Sequence, residues 1–123
     1  MILWITGNSG SGKTTLAKEI QSTYNNWIIL DGDEVRQSVS KGLNLSQSDR
    51  IENNLRTYKL AQTLEKQGFN VVVASIAPYQ KARDMIDVKW VYLPGGKSGK
   101  EYPYEVPNIK PYEDLDSLNL FNV

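Results

Sequence analysis

Gly7-Asn8-Ser9-Gly10-Ser11-Gly12-Lys13-Thr14 fills every position of the pattern G-x-x-x-x-G-K-[ST]. In a loop of this composition the glycines let the backbone curl until successive N–H groups converge on phosphate oxygens, and the start of the following helix adds its positive end. Lys13 would reach the β and γ phosphates, and the Thr14 hydroxyl would bind Mg²⁺. Those two tasks need an ammonium and a small hydroxyl side by side, which makes a nucleoside triphosphate with Mg²⁺ the ligand class, shared by kinases, ATPases and GTPases. An ordinary Gly-rich turn is the plain alternative. A buried strand before the motif and a helix after it weigh against that alternative.

Asp31-Gly32-Asp33 offers two carboxylates at the end of a second apolar run. The carboxyl end of a strand in an open α/β sheet faces the ligand crevice, so both acids belong beside the phosphates. One would take a proton from an acceptor hydroxyl, and the other would organise the metal shell through water. Without the upstream loop the same three residues read as a turn. Arg36 lies three residues past Asp33, and Arg50 and Asn53 share a face of a long helix, flanked by Arg56. Guanidinium forks bind phosphate or sulfate in two-pronged fashion, so this group fits an anionic acceptor. For any single Arg the plainer reading is a solvated helix face.

The composition narrows the field. The chain has 123 residues, 14 basic and 14 acidic side chains, and neither cysteine nor histidine. Disulfide scaffolds, Cys/His zinc sites, Ser-His-Asp triads and Cys nucleophiles are excluded by absence. A pI of about 6.3 provides no basic field for nucleic acid. The apolar runs fall far short of the ~20 residues of a membrane helix. Met1 leads straight into Ile2-Leu3-Trp4-Ile5 with no positive n-region, so no secretory signal and a cytoplasmic location are expected.

The elements that must position these residues follow from apolar periodicity. Residues 2–6 predict a strand buried on both faces. Leu16, Ala17 and Ile20 predict a helix over 13–23 packed on a sheet. Residues 27–30 predict a second strand, 34–40 a short helix stopped by Gly42, and 71–76 and 89–93 two more strands. Ser46 with Asp49 has the spacing of a capping box, which predicts a long helix running to Gln67 and ending at Gly68. Its apolar residues form two stripes, Ile51, Leu55, Tyr58 and Leu60, Leu64. The strand expected at 71–76 ends in Ala74-Ser75-Ile76 and lacks the Asp that an ATPase motor or switch GTPase carries there. Residues 95–123 are Gly- and Pro-rich and predict a tail wrapping the surface of a single domain spanning 1–123. Strands alternating with helices imply an α/β fold, a three-layer sandwich of the P-loop NTPase type with a mostly parallel sheet and helices on both faces.

The chain resembles the adenylylsulfate (APS) kinase family over residues 2 to about 107. Residues 7–15, ending in Thr14-Thr15, are similar to its G-x-S-G-S-G-K-T-T. Asp31-Gly32-Asp33-x-x-Arg36 resembles its D-G-D-x-x-R. Asp49-Arg50-Ile51-Glu52-Asn53 with Arg56 resembles D-R-x-x-N-x-x-R, and Ser75-Ile76-Ala77-Pro78-Tyr79 with Arg83 resembles F-I-S-P-Y-x-x-x-R. Residues 96–107 are similar to G-x-x-G-x-x-x-P-Y-E-x-P. The resemblance implies transfer of the ATP γ-phosphoryl group to the ribose 3′-hydroxyl of APS, giving PAPS and ADP with Mg²⁺. Residues 7–15 would then hold the ATP phosphates. Lys13 and Asp33 would be catalytic, with Asp33 as base. Asp31, Arg36, Arg50, Asn53 and the Ile76 backbone would hold the acceptor. Family members are often dimers, so a homodimer is a possible assembly. Two departures accompany the likeness. The aromatic rings that clamp the APS adenine are replaced by Leu45 and Lys97, and the family's helical lid before Gly96 is missing, with Lys97 or Lys100 as substitutes for its lysine. Two other readings remain open: a P-loop kinase for another small acceptor, and a nucleotide-binding module without catalysis.

Overall fold

The computed structural model describes residues 1–120. Four apolar runs form the strands Ile2–Thr6 (β1), Trp27–Asp31 (β2), Asn70–Ala74 (β3) and Lys89–Tyr92 (β4). They pair in the order β2-β3-β1-β4, and every pairing is parallel. β1 and β3 occupy the centre and are buried throughout, apart from half-buried Asn70. That is why their sequences are continuously apolar rather than alternating. The register aligns Asp31 with Ala74 and Ala74 with Ile5. The carboxyl ends of three strands therefore form one edge.

A helix covers each face. In Lys13–Thr23 (α1) the residues Leu16, Ala17 and Ile20 are buried, packed with Leu3, Ile5, Trp27 and Val72 in one core cluster. Gln47–Lys66 (α3) lies on the other side, where Ala61 is buried with Ile2, Trp4, Val71 and Val73, and Leu55, Tyr58 and Leu64 pack against them. The Trp4 indole is fully buried. Its N–H donates to the Ser75 carbonyl at 3.1 Å, which satisfies the group that burial would otherwise leave unpaired.

The two expected stripes of α3 differ from the buried one. The buried residues are Asn53, Asn54, Thr57 and Ala61, while Ile51 and Leu60 are half-buried. Small and polar side chains occupy this face because the N-terminal half of the helix borders a cleft rather than the apolar sheet. Ser46 caps α3 by accepting from the Asp49 N–H at 3.2 Å. The reciprocal half of the capping box is replaced, since Asp49 Oδ2 accepts from the Asn44 N–H instead. At the other end the Gly68 N–H bonds the Glu65 carbonyl and the Phe69 N–H bonds that of Leu64, a Schellman closure around Gly68.

The short helix (α2) spans Gly32–Gln37 rather than 34–40. It starts earlier because Asp31 caps it, accepting from the N–H groups of Asp33 and Glu34. It stops earlier because the Ser38 hydroxyl turns back to the Glu34 carbonyl and competes with the helical ladder. β3 ends at Ala74, two residues before the expected boundary. A single turn, Gln80–Arg83 (α4), was below the length at which periodicity can be read. After β4 the chain crosses the loop side of the sheet and returns beside its edge. There the Tyr112 N–H bonds the Tyr92 carbonyl at 2.8 Å. A 3-10 turn at Asp116–Leu118 follows, and Leu118 and Leu120 enter the core cluster beneath α1. The final stretch thus inserts apolar side chains in addition to wrapping the surface. Residues 121–123 of the expected tail lie outside the described residues.

Candidate active site

The strand ends and the N-termini of α1 and α3 enclose a cleft of about 250 Å³. The phosphate loop forms its floor. Gly12 adopts φ 100°, a left-handed conformation that favours a residue without Cβ, and α1 then starts with no side-chain cap and no acid in its first turn. The first N–H groups of α1 are thereby left for an anion. Ser9, Gly10, Gly12, Lys13, Thr14 and Thr15 line the cleft. Burial pushes the Lys13 ammonium below its ordinary pKa, and attraction from Asp33 and Asp31 opposes the fall. Lys13 Nζ donates to the Asn8 carbonyl at 3.0 Å, so it is already folded back over the loop.

Asp31 links the start of α1 to the start of α2. Its Oδ1 caps α2, and its Oδ2 accepts from the Thr14 hydroxyl at 3.0 Å. Asp33, in the first turn of α2, also lines the cleft. Opposite lie Arg36 from α2 and Arg50, Asn53 and Asn54 from α3. Arg50 Nε donates to the Leu45 carbonyl at 2.8 Å, which fixes the stem of that side chain. Oδ1 of Asn53 and Oδ1 of Asn54 are buried and have no partner among the described residues.

The remaining wall is the turn after β3, contributed by Ser75, Ile76, Ala77 and Pro78. Ala77 holds φ 45°, strained for a residue with a side chain. Its carbonyl accepts from Arg83 Nη1 at 2.6 Å. Arg83 is almost completely buried, its other amino group donates to the Glu105 carbonyl, and its guanidinium stacks 5.5 Å from the Tyr104 ring centre. Thr6 donates to the Ile76 carbonyl at 2.5 Å, so its hydroxyl oxygen accepts from Tyr104 OH at 2.8 Å. The Ile76 carbonyl is therefore already engaged from behind.

The cleft gathers most of the residues chosen from sequence but not all. Gly7, Asn8 and Ser11 belong to the loop without lining the cleft, and the Asn8 side chain is buried behind it. Leu45 is exposed outside the lining. Lys97 Nζ is turned to Tyr102, 3.4 Å from its hydroxyl and 5.1 Å from its ring centre. Arg56 pairs with Glu52 and the Val39 carbonyl, away from the cleft. Sequence reasoning missed Asn44, Asn54 and the strained Ala77. Only Asn54 carried a signal, as a second amide beside Asn53. Between the end of β4 and Gly96 stand only Leu93, Pro94 and Gly95, so this connection carries no helix.

With this geometry in view, the comparisons with known proteins agree with one another. The family model for adenylylsulphate kinase matches residues 1–91. The adenylyl-sulfate kinase of Myxococcus xanthus is 42% identical over 85 residues, covering 67% of this chain and 46% of that protein. The chain spans about half the length of the curated relatives it matches. Among solved structures, the Mycobacterium tuberculosis APS kinase in complex with AMPPNP and APS is 31% identical, with a TM-score of 0.65 over 75% of this chain and 61% of that one. Another structure of that kinase reaches a TM-score of 0.72 at 27% identity, over 95% of this chain and 90% of that chain. The chain belongs to the adenylylsulphate kinase family.

Proposed function

We propose that the chain is an adenylylsulfate kinase, moving the γ-phosphoryl group of ATP to the ribose 3′-hydroxyl of APS to give PAPS and ADP. The observation that carries this reading is the convergence of Lys13, Thr14, Asp31, Asp33, Arg36, Arg50 and Asn53 on one cleft. The loop N–H groups and Lys13 bind the ATP phosphates. Asp33 accepts the proton of the attacking hydroxyl at its carboxylate. Arg36 and Arg50 hold the phosphosulfate, and Asn53 turns its amide to the ribose. Phosphoryl transfer needs chiefly positioning and charge neutralisation, which this inventory provides.

The residues fit Mg²⁺. The Thr14 hydroxyl and the Asp31 carboxylate are hard oxygen donors 3.0 Å apart, and among the described residues no group of three metal-binding side chains competes for the role. That donor set suits a cation that takes most of its ligands from water and phosphate, as Mg²⁺ does. When bound, Mg²⁺ neutralises charge on the β and γ phosphates. A cytoplasmic location is part of the proposal, supported by the lack of cysteine. No helix among the described residues is long and apolar enough to cross a membrane. The single-domain organisation over 1–123 and a homodimer are proposed with it, the latter to be tested by light scattering.

The exposed Leu45 and the outward Lys97 favour a second reading, a kinase of this fold for another small anionic acceptor. Mass analysis of the products separates the two. Incubation with ATP, Mg²⁺ and APS yields PAPS on the first reading. An acceptor panel in which APS is inert and another hydroxyl compound gains one phosphoryl group establishes the second.

A further inference from the structure

The chain leaving β4 crosses the back of the phosphate loop before it reaches the turn after β3, and Asn8 is where the strap and the loop are fastened. Asn8 Nδ2 donates to the Lys97 carbonyl at 2.6 Å and to the Tyr102 carbonyl at 3.0 Å. Its Oδ1 accepts from the Ser9 N–H at 2.8 Å. Both amide donors and the amide oxygen are thereby used in a side chain that is only 7% exposed as a residue. The main chain of the same residue holds the other side, its carbonyl accepting from Lys13 Nζ at 3.0 Å and from the Ser11 N–H at 3.1 Å.

Neighbouring contacts tighten the join. The Lys97 N–H donates to the Ser9 carbonyl at 2.8 Å. Gly96, at φ 78°, lies so close that a Cβ there would stand 2.6 Å from the Ser9 carbonyl oxygen and 3.0 Å from that of Asn8. No other residue type fits at that approach. Only a side chain with two donors on one nitrogen can satisfy the Lys97 and Tyr102 carbonyls together. A carboxylate would set negative charge against both of them, and an alanine would leave both unpaired.

We infer that Asn8 is a positioning residue that fastens the 96–102 strap to the phosphate loop, and that this fastening holds the loop and Lys13 in the arrangement a nucleoside triphosphate requires. The inference rests on the nucleotide-binding reading above. A loop with glycines at three of its eight positions loses much conformational freedom on ordering. A strap docked beforehand removes that cost from the binding step. A chain whose strap is loose is competent only for the fraction of time it is docked, so the apparent affinity for nucleotide falls by that fraction.

The test uses Asn8→Ala, Asn8→Asp and Gly96→Ala beside the unaltered chain, with two readouts. Limited trypsin digestion, followed by mass analysis, reports the strap through cleavage after Lys97 and Lys100. Steady-state kinetics with ATP, Mg²⁺ and APS report the loop. The strap is expected to be cut about tenfold faster in each variant, the equivalent of one ordinary hydrogen bond, with cleavage after Lys18 and Lys66 unchanged. KM for ATP rises by a similar factor, while kcat at saturating ATP and KM for APS hold, because saturating nucleotide selects the docked strap. A merely structural role would lower the active fraction and hence kcat, leaving KM alone, and that outcome overturns the inference. Wild-type cleavage rates in the variants overturn it too, as does faster cleavage with unchanged KM for ATP. Gly96→Ala attacks the same join from the strap side, so a misfolded Asn8 variant does not decide the matter. An unaltered chain that binds no ATP sinks the functional reading instead, and the digestion still decides whether Asn8 holds the strap.

Discussion

The Thr14 hydroxyl donates to Asp31 Oδ2 at 3.0 Å, while Asp31 Oδ1 caps α2. One carboxylate thus ties the start of α1, the proposed phosphate site, to the helix that carries Asp33 and Arg36. Its two oxygens have separable duties, structural for Oδ1 and electrostatic for Oδ2. Asp31→Asn preserves an oxygen for the cap and removes the charge. Its urea-unfolding free energy stays within about 0.5 kcal/mol of the unaltered chain, while turnover at fixed Mg²⁺ drops about 100-fold. Equal losses in both measurements would show that the two duties are one.

Lys13 gives a pH dependence with a definite sign. Burial holds its pKa below the ordinary 10.5 despite the nearby Asp33 and Asp31. Phosphate binds the charged form, so binding raises that pKa and takes up a proton wherever free Lys13 is partly neutral. Above the pH at which the ADP phosphates are fully ionised, ADP affinity holds and then declines on the alkaline side, beginning below pH 10.5. Calorimetry at a series of alkaline pH values, in two buffers of different ionisation enthalpy, detects the uptake. Lys13→Ala abolishes it.

Gly32 marks a close approach of two strand ends. A Cβ there would stand 2.8 Å from Ser75 Oγ and 3.2 Å from Ser75 Cα, at the start of α2. Gly32→Ala should therefore push β2 from β3 at the cleft and cost about 1–3 kcal/mol in urea unfolding. An unchanged midpoint would mean that the Ser75 turn yields freely.

Arg83 and Tyr104 hold the turn after β3, the proposed acceptor wall, from behind. Arg83→Ala leaves the Ala77 and Glu105 carbonyls without their guanidinium donor and is expected to cost about 3 kcal/mol. Tyr104→Phe removes one hydroxyl bond to Thr6 and keeps the stack on Tyr92, so about 1 kcal/mol is expected. Tyr104→Phe should raise KM for the acceptor more than KM for ATP, and the reverse ranking would argue against this turn as the acceptor wall.

Much of this molecule was legible in its sequence because its strongest signals are local. Four apolar runs named the four strands, and the loop motif fixed the place of α1. Gly68 stopped α3 at the expected place because a Schellman closure is local chemistry. The misreadings arise where distant groups decide. Asp49 serves Asn44 rather than the Ser46 backbone, and α2 begins early because Asp31 faces it. Asn53 and Asn54 are buried at a cleft edge that no single-helix pattern encodes. Lys97, which the family resemblance matches to an adenine-clamping ring, has its ammonium beside Tyr102 here, a contact that the sequence pattern does not encode. Leu118 and Leu120, in a stretch that looks like tail, reach the core because the chain doubles back along the β4 edge.

The central claim is ATP-dependent phosphorylation of adenylylsulfate at a cleft built on Lys13. The most direct test is Mg²⁺-dependent ADP release in a coupled assay, with and without APS, beside a Lys13→Ala control. The account predicts ADP release that requires APS and falls at least 1,000-fold, about 4 kcal/mol of transition-state stabilisation, in the control. ATP binding with no response to APS, or APS-dependent release that survives Lys13→Ala, would contradict it.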